Sequence, residues 1–355
     1  MTRPWMPNPR TSHVRPTGLH RRHLLATGLG ATASLAAGFP RPALAQGQKL
    51  AFKLGTDLPV PHPVNVRLKE AIAAIGKETN GAVEISLFPS NQLGSDSDML
   101  SQIRSGALEL ATFPGTVVST LVPATSLTGI GFAFTSYDKV WAAMDGEVGG
   151  YIRKSIEKAN LVPFETTWDN GFRQITTSTK PIRTPDDLKN FKIRVPVVPL
   201  WVSMFSALGA APVSIPLSEA YSALQTRIAD GQENPLALIN FAKFYEVQKY
   251  CSLTNHAWDG FWMMASGRVW KGVPADVKAI MEKHLNAAAL KERDDIAQAN
   301  RDTQKELEGR GLVFNATDPN AFQSALKATK FYGQWREKFG PEAWALVQKY
   351  AGDIG

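Results

Sequence analysis

Between Ala275 and Glu308 the chain has neither glycine nor proline. Those two residues interrupt helices most readily. The span therefore reads as one helix of about 50 Å at about 1.5 Å per residue. A rod of that length can cross two domains, so it restricts the fold to architectures that give it a long surface to lie on. Val277, Met281, Leu285, Ala288, Ile296 and Leu307 supply its apolar side. The rest of its surface is heavily charged and is expected to be solvated.

Upstream, strands and helices alternate. Leu50–Gly55 reads as a first strand, and a helix follows Pro63 with Leu68, Ile72 and Ile75 at helical spacing. Asn80-Gly81 ends it, because glycine readily takes the left-handed conformation there. Val83–Leu87 alternates apolar and polar residues as a strand does. A short helix is expected over Asp98–Ser105 and a third strand over Leu108–Phe113. A second round starts near residue 171, with strands Phe172–Thr177 and Phe191–Val195 around a helix start at Thr184-Pro185. Tyr250–Leu253 and Phe261–Ala265 are further strand candidates, and two helices, near 320–338 and 341–350, finish the chain. This alternation predicts α/β layers with a largely parallel sheet, in two lobes joined by more than one crossing segment.

The first 45 residues stand apart. Arg21-Arg22 precedes a soft apolar stretch, Leu24–Phe39, diluted by Gly28, Gly30 and Gly38, and then Ala43-Leu44-Ala45. The stretch is too short to span a membrane, and the pattern is that of an export signal cleaved near Ala45. The paired arginines favour the twin-arginine export machinery, which reads them as an address. The segment also decides the charge argument. The chain carries +7, but this segment holds six arginines and no acid, leaving +1 for residues 46–355. A nucleic-acid partner thereby loses its electrostatic support and is not expected.

The motifs of common enzymes are missing: no His-Glu-x-x-His, no Gly-x-Ser-x-Gly, no Walker loop. His62, His256 and His284 are far apart beyond the leader, so no metal is expected. Gly129-Ile130-Gly131 lacks the third glycine of a dinucleotide fingerprint, and no cofactor is expected. The lone Cys251 sits in an apolar-leaning run and reads as inert core.

Hydrogen-bonding residues cluster at predicted strand ends instead. In Phe191–Val195, residues 191, 193 and 195 share one face, and Lys192 and Arg194 share the other. Arg194 lies near the carboxyl end of that strand, where open α/β sheets gather ligands. Its planar fork matches a carboxylate with two parallel hydrogen bonds. Spacing alone favours an exposed edge arginine over a ligand clamp. The run Leu224–Pro235 crowds amides and acids around Asp230-Gly231, either as a polar site or as a self-satisfied turn.

A resemblance covers most of the chain. Trp168-Asp169-Asn170-Gly171-Phe172-Arg173-Gln174, Pro181-Ile182-Arg183-Thr184-Pro185-Asp186-Asp187-Leu188, Lys192-Ile193-Arg194-Val195-Pro196, Ile215-Pro216-Leu217-Ser218-Glu219-Ala220-Tyr221 and Asp230-Gly231-Gln232-Glu233-Asn234-Pro235 run in order. Together they resemble the solute-binding proteins of tripartite ATP-independent periplasmic (TRAP) transporters, of the C4-dicarboxylate-binding type. The resemblance implies two α/β lobes: residues 46–168 with part of 255–300, and 169–254 with the helices of 300–355. It implies a periplasmic protein, not an enzyme, that closes on a small organic acid and delivers it to small and large membrane subunits.

Among its residues, the resemblance implies that Arg194 fastens the carboxylate. Arg173 assists, Asn234 adds a hydrogen bond, Leu217 packs on the ligand and Asp96 contacts it. A periplasmic enzyme and a sensory binding protein on the same fold are the alternatives. Arg227 departs from the family's usual small or neutral residue and is expected in solvent. Phe113-Pro114-Gly115-Thr116 lacks the charges of sugar-acid binders, which argues against a sialic-acid-like ligand. The aromatics of Trp258-Asp259-Gly260-Phe261-Trp262 suit stacking on a ligand or core packing.

Overall fold

Eleven strands build the frame. They are β1 (Leu50–Gly55), β2 (Val83–Phe88), β3 (Leu110–Pro114), β4 (Leu161–Pro163), β5 (Trp168–Thr177), β6 (Lys192–Val195), β7 (Ala211–Ser214), β8 (Gly231–Pro235), β9 (Tyr250–Leu253), β10 (Trp258–Ser266) and β11 (Val313–Ala316). The computed structural model describes residues 49–355, so the leader and its cleavage site lie outside the described residues. The main path runs β2-β1-β3-β10-β5-β8-β6-β7, with β4 on β10, β9 on β5 and β11 on β9. Residues 49–355 belong to one compact unit.

The sheet is mixed rather than largely parallel. β1 pairs parallel with β2 and β3, β6 with β7 and β8, and β9 with β11. The long strands β5 and β10 run antiparallel to every neighbour and to each other. The reason is connectivity. Parallel pairs need helical crossovers, which the chain supplies within each half. β5 and β10 instead carry the chain across between the halves.

Most local expectations hold. The helix Pro63–Glu78 begins on His62, whose Nδ1 accepts from the Val64 amide at 3.3 Å. It buries Val64, Leu68, Ala71 and Ile75 and ends where Asn80 and Gly81 both take positive φ. The helix Asp96–Ser105 starts two residues early because Ser95 and Asp98 cap each other reciprocally. Thr184 starts only one turn of 3-10 helix, Pro185–Leu188. The expected helix over 320–338 is two, Pro319–Lys327 and Phe331–Phe339, before Pro341–Ala351. The break has a local cause: the Thr329 hydroxyl donates back to the Leu326 carbonyl and accepts from the Phe331 amide. Residues 231–235 are a strand and not a turn, because β5 and β6 flank them and supply partners on both sides.

The long helix is one piece, Ala275–Gly309. It packs on the helix Pro63–Glu78, on β5 and on the helix Leu236–Phe241. Its predicted apolar residues are buried, but its charged surface is not all solvated. Glu292 is fully buried and accepts from the Asp169 amide at 2.9 Å. Arg293 is 9% exposed, donates to both Asp145 oxygens at 2.8 Å and to the Thr167 carbonyl, and lies 3.8 Å from the Trp141 ring centroid. Arg67 clamps Asp295 at 2.6 and 2.8 Å. Glu292 and Arg293 are inside because a rod crossing the start of β5 must meet polar backbone there. The last helix, Pro341–Ala351, packs on Tyr137–Met144 and Glu147–Lys158, while Phe331–Phe339 packs on Pro199–Ala207.

Candidate functional site

A narrow cavity of about 20 Å³, partly open to solvent, lies where the two halves of the sheet meet. Its walls come from strand ends: Asp57 just past β1, Pro114 at the end of β3, Arg194 and Pro196 at the end of β6, Asn234 on β8. The crossing strands add Asn170 and Arg173 from β5 and Asp259 and Phe261 from β10. Arg194, Arg173, Asn234, Leu217 and Asp96 all line this one cavity.

Arg194 is 1% exposed and no edge residue, since β7 and β8 flank its strand. Its Nε donates to the Ile215 carbonyl at 2.8 Å, which aims the fork. Its Nη2 is buried without a hydrogen-bond partner. Burial lowers the guanidinium pKa to about 10, with Glu233, Asp96 and Asp57 acting against that fall. It stays charged at neutral pH. A buried cation with an unused donor is costly unless something arrives to accept from it.

Arg173 differs, because its partners are already present. Nε donates to Glu233 Oε2 at 2.5 Å, and Nη2 donates to Glu233 Oε1 at 3.0 Å and to Asn234 Oδ1 at 2.8 Å. Trp201 lies under the guanidinium, 4.3 Å from ring centroid to carbon. His256 Nε2 is 3.0 Å from Glu233 Oε2, and its Nδ1 is 2.8 Å from the Thr254 hydroxyl. Burial lowers the His256 pKa, which favours the neutral ring. A carboxylate can only accept, so Nε2 carries the proton and Nδ1 accepts from Thr254. Burial pushes Glu233 up, yet Arg173 and His256 hold it below its usual range. Asn234 is fixed in turn, with Nδ2 donating to Gln232 Oε1 at 2.6 Å.

Three further carboxyls line the cavity. Asp96, the first residue of its helix, is pushed up to about 7 by burial, against the pull of Arg194. Burial, then the neighbouring Asp96, raises Asp57 well above the carboxylate range. Oδ1 of each is buried without a partner. Asp259 accepts from the Thr116 hydroxyl at 2.8 Å and is pushed up to about 6 by burial.

Sequence reasoning missed Asp57, Asn170, Thr116, Trp201 and Asp259 as cavity residues. Asp57 had a usable signal, a polar residue just beyond the first predicted strand. Asn170 had none, because a bulge exposes it. β10 pairs Asp259 with Gly171 and Gly260 with Asp169, leaving Asn170 unopposed. Gly171 has φ +111°, and such a bulge re-aims the extra side chain. Asn170 Oδ1 reaches the cavity 2% exposed and unpartnered.

Of the aromatic run, Phe261 lines the cavity, while Trp258 is core, with Nε1 donating to Asp169 at 2.8 Å. Leu217 is half-buried at the start of its helix.

Residues elsewhere have other roles. Arg227 is exposed, on a left-handed turn with φ +59°. Cys251 is buried, and burial pushes its thiol up, away from the reactive thiolate. His62 is a buried helix cap and His284 pairs with Glu78 at 2.7 Å. Among the described residues no three His, Cys, Asp or Glu side chains are grouped to hold a metal ion.

A mixed α/β frame crossed by two strands, closing on a small polar cavity with an unused arginine fork, is the frame of a two-sided binding protein. The chain belongs to the bacterial extracellular solute-binding protein family 7 (DctP), whose pattern matches residues 54–334. It is 30% identical over 339 residues to the C4-dicarboxylate-binding periplasmic protein DctP of Rhodobacter capsulatus, covering 92% of this chain and 98% of that one. Against an uncharacterized protein of Sinorhizobium fredii it is 34% identical over 247 residues, 68% of this chain but only 46% of the relative.

Among solved structures, a TRAP periplasmic solute-binding protein of Sulfurospirillum deleyianum with bound succinate superposes with a TM-score of 0.80. It shares 29% identity and covers 86% of this chain and 99% of its own. A Haemophilus influenzae counterpart with bound L-gulonate gives a TM-score of 0.80 at 28% identity, covering 85% and 99%.

Proposed function

We propose that this protein captures a small organic acid in the cavity and delivers it to the membrane subunits of a TRAP transporter. The observation that carries the reading is Arg194: buried, charged, aimed by the Ile215 carbonyl, with Nη2 unused in the cavity wall. A ligand carboxylate supplies the missing acceptor. Arg173 and Asn234 stand beside it with their orientations fixed, so little order is lost on binding. Leu217 and Phe261 offer apolar contact, and Asp96 faces the ligand's remainder.

In this reading the protein has two lobes, one built around β1, β2 and β3 and the other around β6, β7 and β8. They close as rigid bodies because contacts from both sides favour the shut form. The protein works in the periplasm, after the twin-arginine machinery exports it and the leader is removed near Ala45. Relatives named as periplasmic binding proteins support that compartment.

Calorimetry tests the site. Arg194→Ala should weaken binding of an organic-acid ligand by about two to three orders of magnitude, because an unpaired buried charge costs ~3–5 kcal/mol and each ~1.4 is tenfold. Arg194→Lys should also bind worse, for want of the planar fork. Arg227→Ala, on the exposed turn, should bind like wild type. A folded Arg194→Ala protein that binds within about threefold of wild type ends the reading.

A further inference from the structure

The charges in the cavity do not balance for a dianion. Arg173 is already matched by Glu233. That leaves Arg194 as the cation available to a ligand, against three carboxyls in the walls: Asp57, Asp96 and Asp259. Asp259 has a donor of its own in Thr116. Asp57 and Asp96 do not, and one oxygen of each is buried and unpartnered. Asn170 adds a third buried acceptor, Oδ1, also unpartnered. The cavity thus offers a buried, unpartnered donor, Arg194 Nη2, and three buried, unpartnered acceptor oxygens, on Asp57, Asp96 and Asn170.

Resting on the proposed carboxylate clamp at Arg194, we propose that the ligand is a monocarboxylic acid whose far end donates hydrogen bonds, and that dicarboxylates are rejected. A hydroxyl or an ammonium group satisfies Asp57, Asp96 and Asn170; a second carboxylate can donate nothing. It would also bring a second negative charge into a cavity whose unpaired cation, Arg194, is already taken by the first carboxylate, and a buried charge without a partner is costly. Burial leaves Asp57 and Asp96 disposed to keep a proton in the empty site. A far-end ammonium would draw both into the ionised form, and a hydroxyl would bond either form.

Three four-carbon acids separate the possibilities: D-erythronate with a hydroxyl far end, γ-amino-β-hydroxybutyrate with an ammonium, and tartrate with a second carboxylate. Calorimetry on the wild-type protein should show at least one of the first two binding about a hundredfold or more tighter than tartrate. Which of them leads identifies hydroxyl or ammonium as the far end. Asp57→Asn combined with Asp96→Asn should narrow that gap by about tenfold or more, mainly through better tartrate binding.

Tartrate binding as tightly as the better of the other two, with or without proton uptake, overturns the far-end preference. It leaves the carboxylate clamp standing if Arg194→Ala still abolishes it. Binding of all three that survives Arg194→Ala overturns the clamp itself. No heat from any of the three overturns the preference on a four-carbon frame.

Discussion

Arg173 and Glu233 hold each other across β5 and β8, with Nε to Oε2 at 2.5 Å and Nη2 to Oε1 at 3.0 Å, both side chains out of water. Arg173 lines the cavity with Glu233 behind it, and the pair sets the geometry of what faces the cavity. Asn234 is oriented by the same guanidinium, and His256 is kept in one tautomer by the same carboxylate. A polar network this deep is stabilising only when every member is satisfied.

That network should fail when one partner is lost. Glu233→Ala or Arg173→Ala alone should each lower the free energy of unfolding by about 3–5 kcal/mol, because the remaining charge is buried unpaired. Removing both should recover part of the loss, since no lone charge remains. Denaturant unfolding of the three variants measures this. A double variant no more stable than the worse single one contradicts a pair acting as a unit.

Asp96 should give stability an unusual slope with pH. Its folded value is pushed up to about 7, while an unfolded aspartate loses its proton near about 3.9. Between those values the folded chain holds the proton and the unfolded chain does not. Stability from this carboxyl is therefore full at low pH and falls as pH rises towards about 7. Asp57 adds to the fall. His62, lowered to about 3 by burial, acts the other way, costing stability as pH falls below its unfolded value. The informative quantity is therefore a difference. The melting temperature of Asp96→Asn minus that of wild type should rise across the window from about pH 4 to about pH 7 and then level off. A difference that is flat or falling there would count against a protonated Asp96.

Binding should require opening. Arg194, Asn170 and Asp96 are 1%, 2% and 8% exposed, so a ligand cannot reach them with the cavity as small as it is here. The free protein in solution should be more expanded than the saturated one, with unchanged secondary structure, as two rigid parts rotate on short hinges. Small-angle scattering with and without a bound acid reads the change. Equal radii of gyration at saturation would be incompatible with a cleft that shuts.

Export should depend on the leader. Arg21→Lys with Arg22→Lys should strand unprocessed precursor in the cytoplasm, because the twin-arginine receptor reads the pair itself. Wild-type protein from the periplasm should begin near Gln46 or Gly47. Periplasmic protein that retains residues 1–45 would disprove cleavage.

Much of this was legible in the chain. Strand and helix periods, the helix start at Pro63 and the uninterrupted span after Ala275 depend on neighbours a few residues away, and local sequence carries them. The resemblance assembled Arg194, Arg173, Asn234, Leu217 and Asp96 into one proposed site, and the structure brings all five to one cavity. The α/β class followed from alternation alone. The antiparallel course of β5 and β10 did not, because strand direction depends on what lies beside a strand.

Only the tertiary structure decided the charge state and the company of the polar residues. Asp57, Asp96 and Asp259 are ordinary acids in the sequence, and burial in the fold is what raises them. Glu292 and Arg293 read as solvated until the long helix is laid across β5. Asn170 reaches the cavity because β10 skips it in pairing, a register effect between residues about 90 apart. By itself the sequence determined the elements and the arginine that suits a carboxylate. Which donors and acceptors remain unused, and hence which acid fits, depends on long-range contacts that no local pattern encodes.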